Sequence, residues 1–502
     1  MSHSTTISEL FRGRRDIIML AAFCLIAFFA NNTALRPDIM ETRNLQTARE
    51  TVEGGHWLVP MMNGEYRLEK PPLPTWIAAA ADAVSPDNLA LQRTMSGLAG
   101  CLMVVFFYLM ALRTTGRKDY ALIASLMLIT CYNIVLMART ATWDIYCHAF
   151  MTGGIYYLMR GLYEERHIWR HMLLAGTLMG LSFMSKGPVS FYALLLPWIA
   201  AVLLCRRPAM KGRVAPLIVM TALCIAVSSW WYVYILLTQS EAANYVINKE
   251  SGSWKNHNVR PWYYYWRFFT ETGVWTPVMF LALAMPFWRK RLGTASRHYT
   301  FAMVWVIAAL VLLSLMPEKK MRYLLPMMIP CCYAMAHLII YWNGKRKRPV
   351  ASRAVIAVAA VFATAELLAM PIIAKQFYNP RYNSISQTYG DARLEGIPFY
   401  YNKANPLRIE VVYASHRIIR PLELSSPHIA DTLAAKLPCV LLTRETVDKE
   451  LPSGVFGAID TVYIGKFNDS NRSRFANYGK DESFIYNVTL LKPKKHDNKQ
   501  DK

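Results

Sequence analysis

Eleven apolar runs of about twenty residues, separated by short basic turns, leave this chain one solvent to fold in. They cover residues 16–35, 94–113, 119–138, 143–163, 171–185, 188–205, 214–238, 273–288, 299–316, 322–342 and 352–373. A run of that length spans the ~30 Å hydrocarbon core as a helix, which satisfies its own backbone hydrogen bonds where water is absent. The chain therefore reads as mostly α, a polytopic membrane protein of about eleven transmembrane helices. The first run follows Arg12, Arg14 and Arg15 and has no small-residue cleavage site, so it reads as a retained span rather than a signal peptide.

A net charge of +23 is the pattern of a nucleic-acid binder only when the basic residues share a face. Here they fall in clusters between apolar runs, which predicts no nucleic-acid partner and a topology instead. With the N-terminus cytoplasmic, the clusters at 113–118, 160–170, 206–213, 289–291 and 345–348 all land inside. That agreement requires Pro72–Ser85 not to cross: it is fourteen residues long, opens on prolines and holds Asp82, which suits an interfacial or re-entrant segment. The outer face then receives the first loop 36–93, the turn at Ala141–Asp144, the Lys186–Pro188 hairpin, the second loop 239–272, the turn 317–322 and everything after 373.

The division expected is a membrane domain over 1–373, a small extracytoplasmic α/β domain over 374–490 and a disordered tail over 491–502. The domain is read from β-like runs IEVVYA, CVLLT, TVYIG and IYNVTLL and a helix-like stretch near His428–Lys436. Nine cysteines contain no Cys-x-x-Cys spacing, so neither a disulfide framework nor a metal cluster is predicted. The absence of an internal repeat weighs against the main rival reading, a transporter or flippase of a lipid-linked or anionic solute.

The polar residues that remain are candidates for chemistry. Residues 41–53 form a sparse amphipathic stretch stopped by Gly54–Gly55 and expected along the membrane surface, with Arg49, Glu50 and Glu53 solvated. Glu41 stands close to the end of the first span, where a carboxylate can face a cavity. Glu69 and Lys70 precede Pro71–Pro72, whose rings restrict the backbone and fix the lysine as a phosphate contact. Asp144 opens an apolar run, where a helix N-terminus offsets part of the cost of a charge, and His148 reads as a packing histidine. Lys186 sits between two apolar runs before Gly187–Pro188. Lys319, Lys320 and Arg322 break the positive-inside pattern, which invites an anionic ligand. His257, among basic residues in the second loop, could bind phosphate or a metal.

The motifs ETR (Glu41–Arg43), HWLVP (His56–Pro60), LEKPPLPTW (Leu68–Trp76), RTATWD (Arg139–Asp144), SKGP (Ser185–Pro188) and KKMRYLLP (Lys319–Pro326) follow one another in this order. Over most of 1–345 the chain resembles the GT-C class of membrane glycosyltransferases, in its aminoarabinose-transferase-like and protein O-mannosyltransferase-like group. The family often has Asp-Glu where this chain has Met40–Glu41, so the acid carried over is Glu41, or Asp38 displaced along the chain.

The resemblance implies a GT-C-like fold and transfer of a sugar from a polyprenyl (undecaprenyl) phosphate donor. The acceptor would be a lipid such as lipid A, a glycan or a protein, on the periplasmic side of a bacterial inner membrane. It implies Glu41 and Asp144 as catalytic carboxylates and Arg43, Lys70, Lys319, Lys320 and Arg322 as donor-phosphate contacts, with Glu69, Lys186 and His257 as further candidates. No cofactor is called for. A divalent metal, held by some members, would map to Glu69 and His257, and the residues themselves leave the metal open. Membrane lipids complete the expected partners, and an O-antigen-ligase-like enzyme using a diphosphate carrier is the rival within enzymes.

Overall fold

The computed structural model describes residues 7–256, 258–346, 348–376, 384–469 and 485–494. The chain forms two compact units, Met1–Thr33 with Arg67–Met370, and Ala34–Tyr66 with Pro371–Lys502. The first outer loop is thus shared: its first half belongs with the C-terminal chain, a grouping that a division at residue 373 does not capture.

The larger unit is helical. Its elements are α1 (Ile7–Cys24), then, beyond residues 34–66, α3 (Leu73–Val84), α4 (Leu89–Thr115), α5 (Lys118–Ile129), α6 (Tyr132–Ala138), α7 (Asp144–Tyr163), α8 (Ile168–Lys186), α9 (Leu196–Cys205), α10 (Val214–Thr238), α11 (Ser240–Asn256), α12 (Thr276–Ala282), α13 (Met285–Arg291), α14 (Ser296–Leu315), α15 (Met328–Gly344) and α16 (Val350–Leu368). The second helix in chain order, α2 (Ile39–Gly54), lies in the other unit.

By length and apolar character, five described helical stretches are long enough to cross a membrane: Leu89–Thr115, Val214–Thr238, Gly293–Leu315, Met321–Gly344 and Val350–Leu368. Two bent pairs bring the number to seven if each is one span. The fold is therefore multi-pass with at least five spans. α5 from Tyr120 onward and α15 as far as Ile339 are buried on every side, and they form the centre of the unit with α4 and α7.

Three expected spans depart from straight helices. The run 119–138 bends by 66° between α5 and α6, where the Thr130 hydroxyl donates to the Leu126 carbonyl (2.8 Å) and accepts from the Trp275 indole (2.7 Å). The run 273–288 bends by 75° between its helices. The run 188–205 holds an apolar helical stretch, Phe191–Cys205, too short for the full core. α3, at twelve residues, rises only ~18 Å, in keeping with a segment that does not cross.

The smaller unit holds α2, a short hairpin of β1 (Met61–Met62) and β2 (Glu65–Tyr66), and a five-stranded sheet. The sheet strands are β3 (Phe399–Asn402), β4 (Ile419–Leu422), β5 (Cys439–Thr443), β6 (Ile459–Asn468) and β7 (Ile485–Pro493), in the order β4-β3-β5-β7-β6. β3 runs parallel to β4 and β5, while β7 is antiparallel to β5 and β6. Alternation along β5 sends Val440 and Leu442 to one core and Cys439 and Leu441 to the other.

Three of the four β-like runs are strands, and Ile429–Ala434 is the expected helix. The fourth run, IEVVYA, is helix α18 (Ile409–Ser415), whose Val411 and Val412 pack on the sheet and whose remaining face meets α2. Tertiary packing here overrides the strand preference of its β-branched residues. β7 runs through Pro493, three residues into the stretch read as a tail, and residues 495–502 lie outside the described residues.

Candidate active site

The larger unit assembles a charged cluster from helix ends. α7 begins at Asp144, the last residue of RTATWD, and α8 ends at Lys186, the lysine of SKGP. The two helices pack side by side, so a short connection brings the start of one to the end of the other. Asp144 is 2% exposed and accepts from the buried Lys186 ammonium in a direct ion pair. Each charge sits where the helix dipole favours it, the carboxylate at an N-terminus and the ammonium at a C-terminus. Gly187 ends α8 at φ 74°, ψ −148°, a conformation essentially confined to glycine, and turns the chain away directly behind the lysine.

Arg322 acts electrostatically on both members of the pair, as does buried His148 on Asp144. The Lys186 ammonium also stands 5.2 Å from the centre of the Tyr323 ring. Arg139, five residues before Asp144, is committed elsewhere: it pairs with Glu366 and donates to the Ala27 carbonyl.

The turn KKMR separates into unequal parts. Lys319 is buried and donates to the carbonyls of Arg260 (3.1 Å) and Met316 (2.5 Å), and burial lowers its ammonium below the usual lysine range. Lys320 pairs with Glu318, which also accepts from the Tyr323 hydroxyl (3.3 Å). Among the described residues Arg322 is in no ion pair, so it is the cation of this turn best placed for an anion.

Glu69 is held by two cations, Arg67 and Lys249, the latter at 3.1 Å. Burial, the largest single influence, would raise its carboxyl, but the Arg67 guanidinium, a backbone hydrogen bond and Lys249 together bring it down to about 2. Lys70 is half-buried beside it. Among the described residues no three His, Cys, Asp or Glu side chains converge as metal ligands, and His257 lies outside the described residues.

In the smaller unit, Glu41 stands in the first turn of α2 and is wholly buried. Asp38 is the N-cap, its carboxylate accepting from the backbone amides of Met40 (2.9 Å) and Glu41 (2.8 Å). Of the two acids open to a family assignment, Asp38 is thereby spent on the helix end. Arg43 is half-buried and acts on Glu410, a buried acid of α18 raised by burial against the opposing charges of Arg408 and Arg43.

The face of α2 expected to be solvated is instead buried at Arg49 (3% exposed) and Glu50 (6%). Arg49 donates to the Tyr413 carbonyl (2.9 Å) and covers the Tyr413 ring, while Glu50 accepts from the amides of Asn63 and Gly64. Gly55 closes the helix in the left-handed conformation, as its stop signal predicts.

Glu318, Tyr323, Arg67, Lys249 and Glu410 are the functional neighbours that the sequence reading passed over as partners. Glu318 and Arg67 stand within two residues of singled-out positions and could have been paired by proximity. Lys249 and Glu410 reach their neighbours only through the fold.

Residues 69–232 match the family described as dolichyl-phosphate-mannose-protein mannosyltransferase. The chain is 28% identical over 370 residues to the undecaprenyl phosphate-alpha-4-amino-4-deoxy-L-arabinose arabinosyl transferase of Pseudomonas savastanoi pv. phaseolicola, covering 70% of this chain and 66% of that protein. It is 26% identical over 307 residues to a protein of Aquifex aeolicus, covering 60% and 59%. The chain thus spans between 59% and 66% of the length of these curated relatives. In fold it is similar to ArnT from Cupriavidus metallidurans, in a crystal structure bound to undecaprenyl phosphate, with a TM-score of 0.69, 14% identity and coverage of 95% of this chain and 97% of that one.

Proposed function

We propose that the chain is a membrane glycosyltransferase of the GT-C class, similar to the aminoarabinose and mannosyl transferases, and that it uses a polyprenyl phosphate-linked sugar. The observation that carries this reading is the buried Asp144–Lys186 pair with Arg322 beside it, in a fold shared with a protein crystallised with undecaprenyl phosphate. A transporter needs no such concentration of paired charge at one end of its helices, and its reading is not favoured.

The reaction is an inverting displacement. An acceptor oxygen bonds to the anomeric carbon as the bond from that carbon to the phosphate oxygen breaks, and polyprenyl phosphate leaves as the anion. Asp144 or Glu41 takes the acceptor proton or orients its hydroxyl. The leaving phosphate is met by Arg322, whose planar guanidinium can bind two of its oxygens, with Lys186 and Lys70 as supporting charge. Lys320 joins only by exchanging Glu318 for phosphate, and Lys319 holds the turn. No step here requires a metal, and chelation by EDTA is expected to leave the rate unchanged.

Among a lipid, a glycan and a protein, the acceptor we favour is a lipid of the lipid A type. The membrane-spanning runs cross the inner membrane of a bacterium, with Asp144 and its neighbours in the larger unit opening on the periplasm. Single cysteines placed at 65 and 116 test that orientation, since only the first is labelled from outside. Purified protein given a sugar-linked undecaprenyl phosphate should release undecaprenyl phosphate only when acceptor is added. Full transfer by well-expressed Glu41→Gln and Asp144→Asn variants alike would overturn the mechanism.

A further inference from the structure

A second site lies at the opposite end of the helix bundle from Asp144. A cavity of about 180 Å³ opens among α4, α7, α9, α14 and α15 at the end that carries the basic turns. Tyr163 in its wall is the last residue of α7 and Asp144 the first, so the two sites are separated by ~28 Å of helix.

The body of the cavity is apolar, walled by Met110, Met159, Trp198, Phe301 and Trp305, and its rim carries Arg206 and Arg297. Its volume exceeds the ~150 Å³ that accommodates a benzene ring in an apolar protein cavity. Arg206 is held in place from below: its guanidinium lies 4.9 Å from the centre of the Tyr163 ring, whose hydroxyl donates to the Arg206 carbonyl. Among the described residues neither Arg206 nor Arg297 is in an ion pair, although three nearby arginines of the same end, Arg113, Arg160 and Arg213, are paired with Glu164 or Glu165. Within the lining, the buried Tyr333 hydroxyl faces Thr114 without a hydrogen bond of normal geometry. Leu203 and Leu204, at the same end of α9, are exposed and continue the apolar rim outward.

Two unpaired guanidinium groups over an aromatic and methionine-lined cavity, at the level where basic turns meet the bilayer, have the chemistry of one ligand class. We propose that this cavity binds an anionic phospholipid, its phosphate on Arg206 and Arg297 and part of an acyl chain among Trp198, Phe301 and Trp305. The guanidinium pair supplies bidentate contacts to phosphate oxygens that a zwitterionic lipid offsets with its own cation. Nothing in this assignment depends on the proposed transfer reaction.

Native mass spectrometry of the detergent-purified full chain, with phosphatidylglycerol or phosphatidylcholine added, tests it. Wild type should retain one phosphatidylglycerol, the Arg206→Gln/Arg297→Gln variant should lose it by more than about tenfold, as expected for two arginines at a lipid surface, and Arg289→Gln/Arg291→Gln should keep it. Phe301→Trp, which retains both arginines and fills the cavity, should also lose it. Retention by the Arg206/Arg297 variant, or equal retention of phosphatidylcholine, would overturn the proposal. So would displacement by inorganic phosphate, which would reveal a site for a free anion.

Discussion

Two buried carboxylates, Glu50 in the smaller unit and Asp144 in the larger, are neutralised in different ways. Glu50 accepts from two backbone amides, as the exposed Asp38 does at the start of α2. Asp144 in the larger unit meets a lysine side chain, with an arginine next to it that has no acid of its own among the described residues. Backbone amides hold a carboxylate permanently, because they cannot leave without unfolding the segment. Side-chain cations can exchange one anion for another, so the second arrangement can bind and release a phosphate. A buried acid held by backbone amides is therefore architecture, and one held by side-chain cations is available to the reaction.

The strongest way to break this contrast is to remove the acid of the exchangeable pair. Asp144→Ala should leave Lys186 buried and unpaired, destabilising the protein by ~3–5 kcal/mol and abolishing transfer. Asp144→Ala/Lys186→Met should recover much of the thermal stability in detergent without recovering turnover. Recovery of both would place the pair among structural contacts. Next in size, Glu41→Gln should slow transfer by ~10²–10⁴-fold at normal expression if Glu41 serves the acceptor proton. Single-turnover rates in the two backgrounds would show which acid is the base.

Arg322→Ala should weaken donor use by roughly 10- to 100-fold, the loss of a charge-assisted hydrogen bond, with Arg322→Lys only partly restoring it. Lys319→Met should instead lower stability, since its ammonium is engaged by carbonyls. Equal donor KM effects at the two positions would erase the distinction drawn within the turn. In the smaller unit, Glu50→Gln should cost ~1–3 kcal/mol of stability while leaving turnover per folded molecule unchanged.

The smallest effect concerns pH. The Glu69 carboxyl is depressed to about 2 in the folded protein from an ordinary value of 4.5, so the unfolded chain binds its proton first as pH falls. Its contribution is complete above about pH 4.5 and fades as pH drops toward 2. Thermal melts of Glu69→Gln should lack that part of the acid loss, and an identical acid limb in variant and wild type would remove the Arg67–Glu69–Lys249 cluster from the account.

Much of the fold was legible in residue order. Apolar runs marked the helices, Gly54–Gly55 marked the end of α2, and CVLLT, TVYIG and IYNVTLL marked three strands. RTATWD and SKGP each signalled a polar residue at a membrane boundary, though nothing in their spacing joined them. What stayed hidden depended on partners distant in sequence. IEVVYA carries β-branched residues and becomes a helix because the sheet and α2 are both there to cover it. The run 119–138 reads as one span and bends at Thr130, where the Trp275 indole donates to its hydroxyl. Arg49 and Glu50 look solvated from their polarity and are buried because Tyr413, Asn63 and Gly64 satisfy them.

By itself the sequence determined the solvent, the helical class and the short list of charged residues at membrane boundaries. Those follow from local hydrophobicity and charge, which each segment carries with it. Only the tertiary structure decided that Asp144 meets Lys186, that Lys319 is spent on carbonyls and Lys320 on Glu318, and that Arg206 and Arg297 stand over a cavity. The energy of a buried charge depends on whichever groups surround it, and sequence order does not specify those groups until the helices have packed.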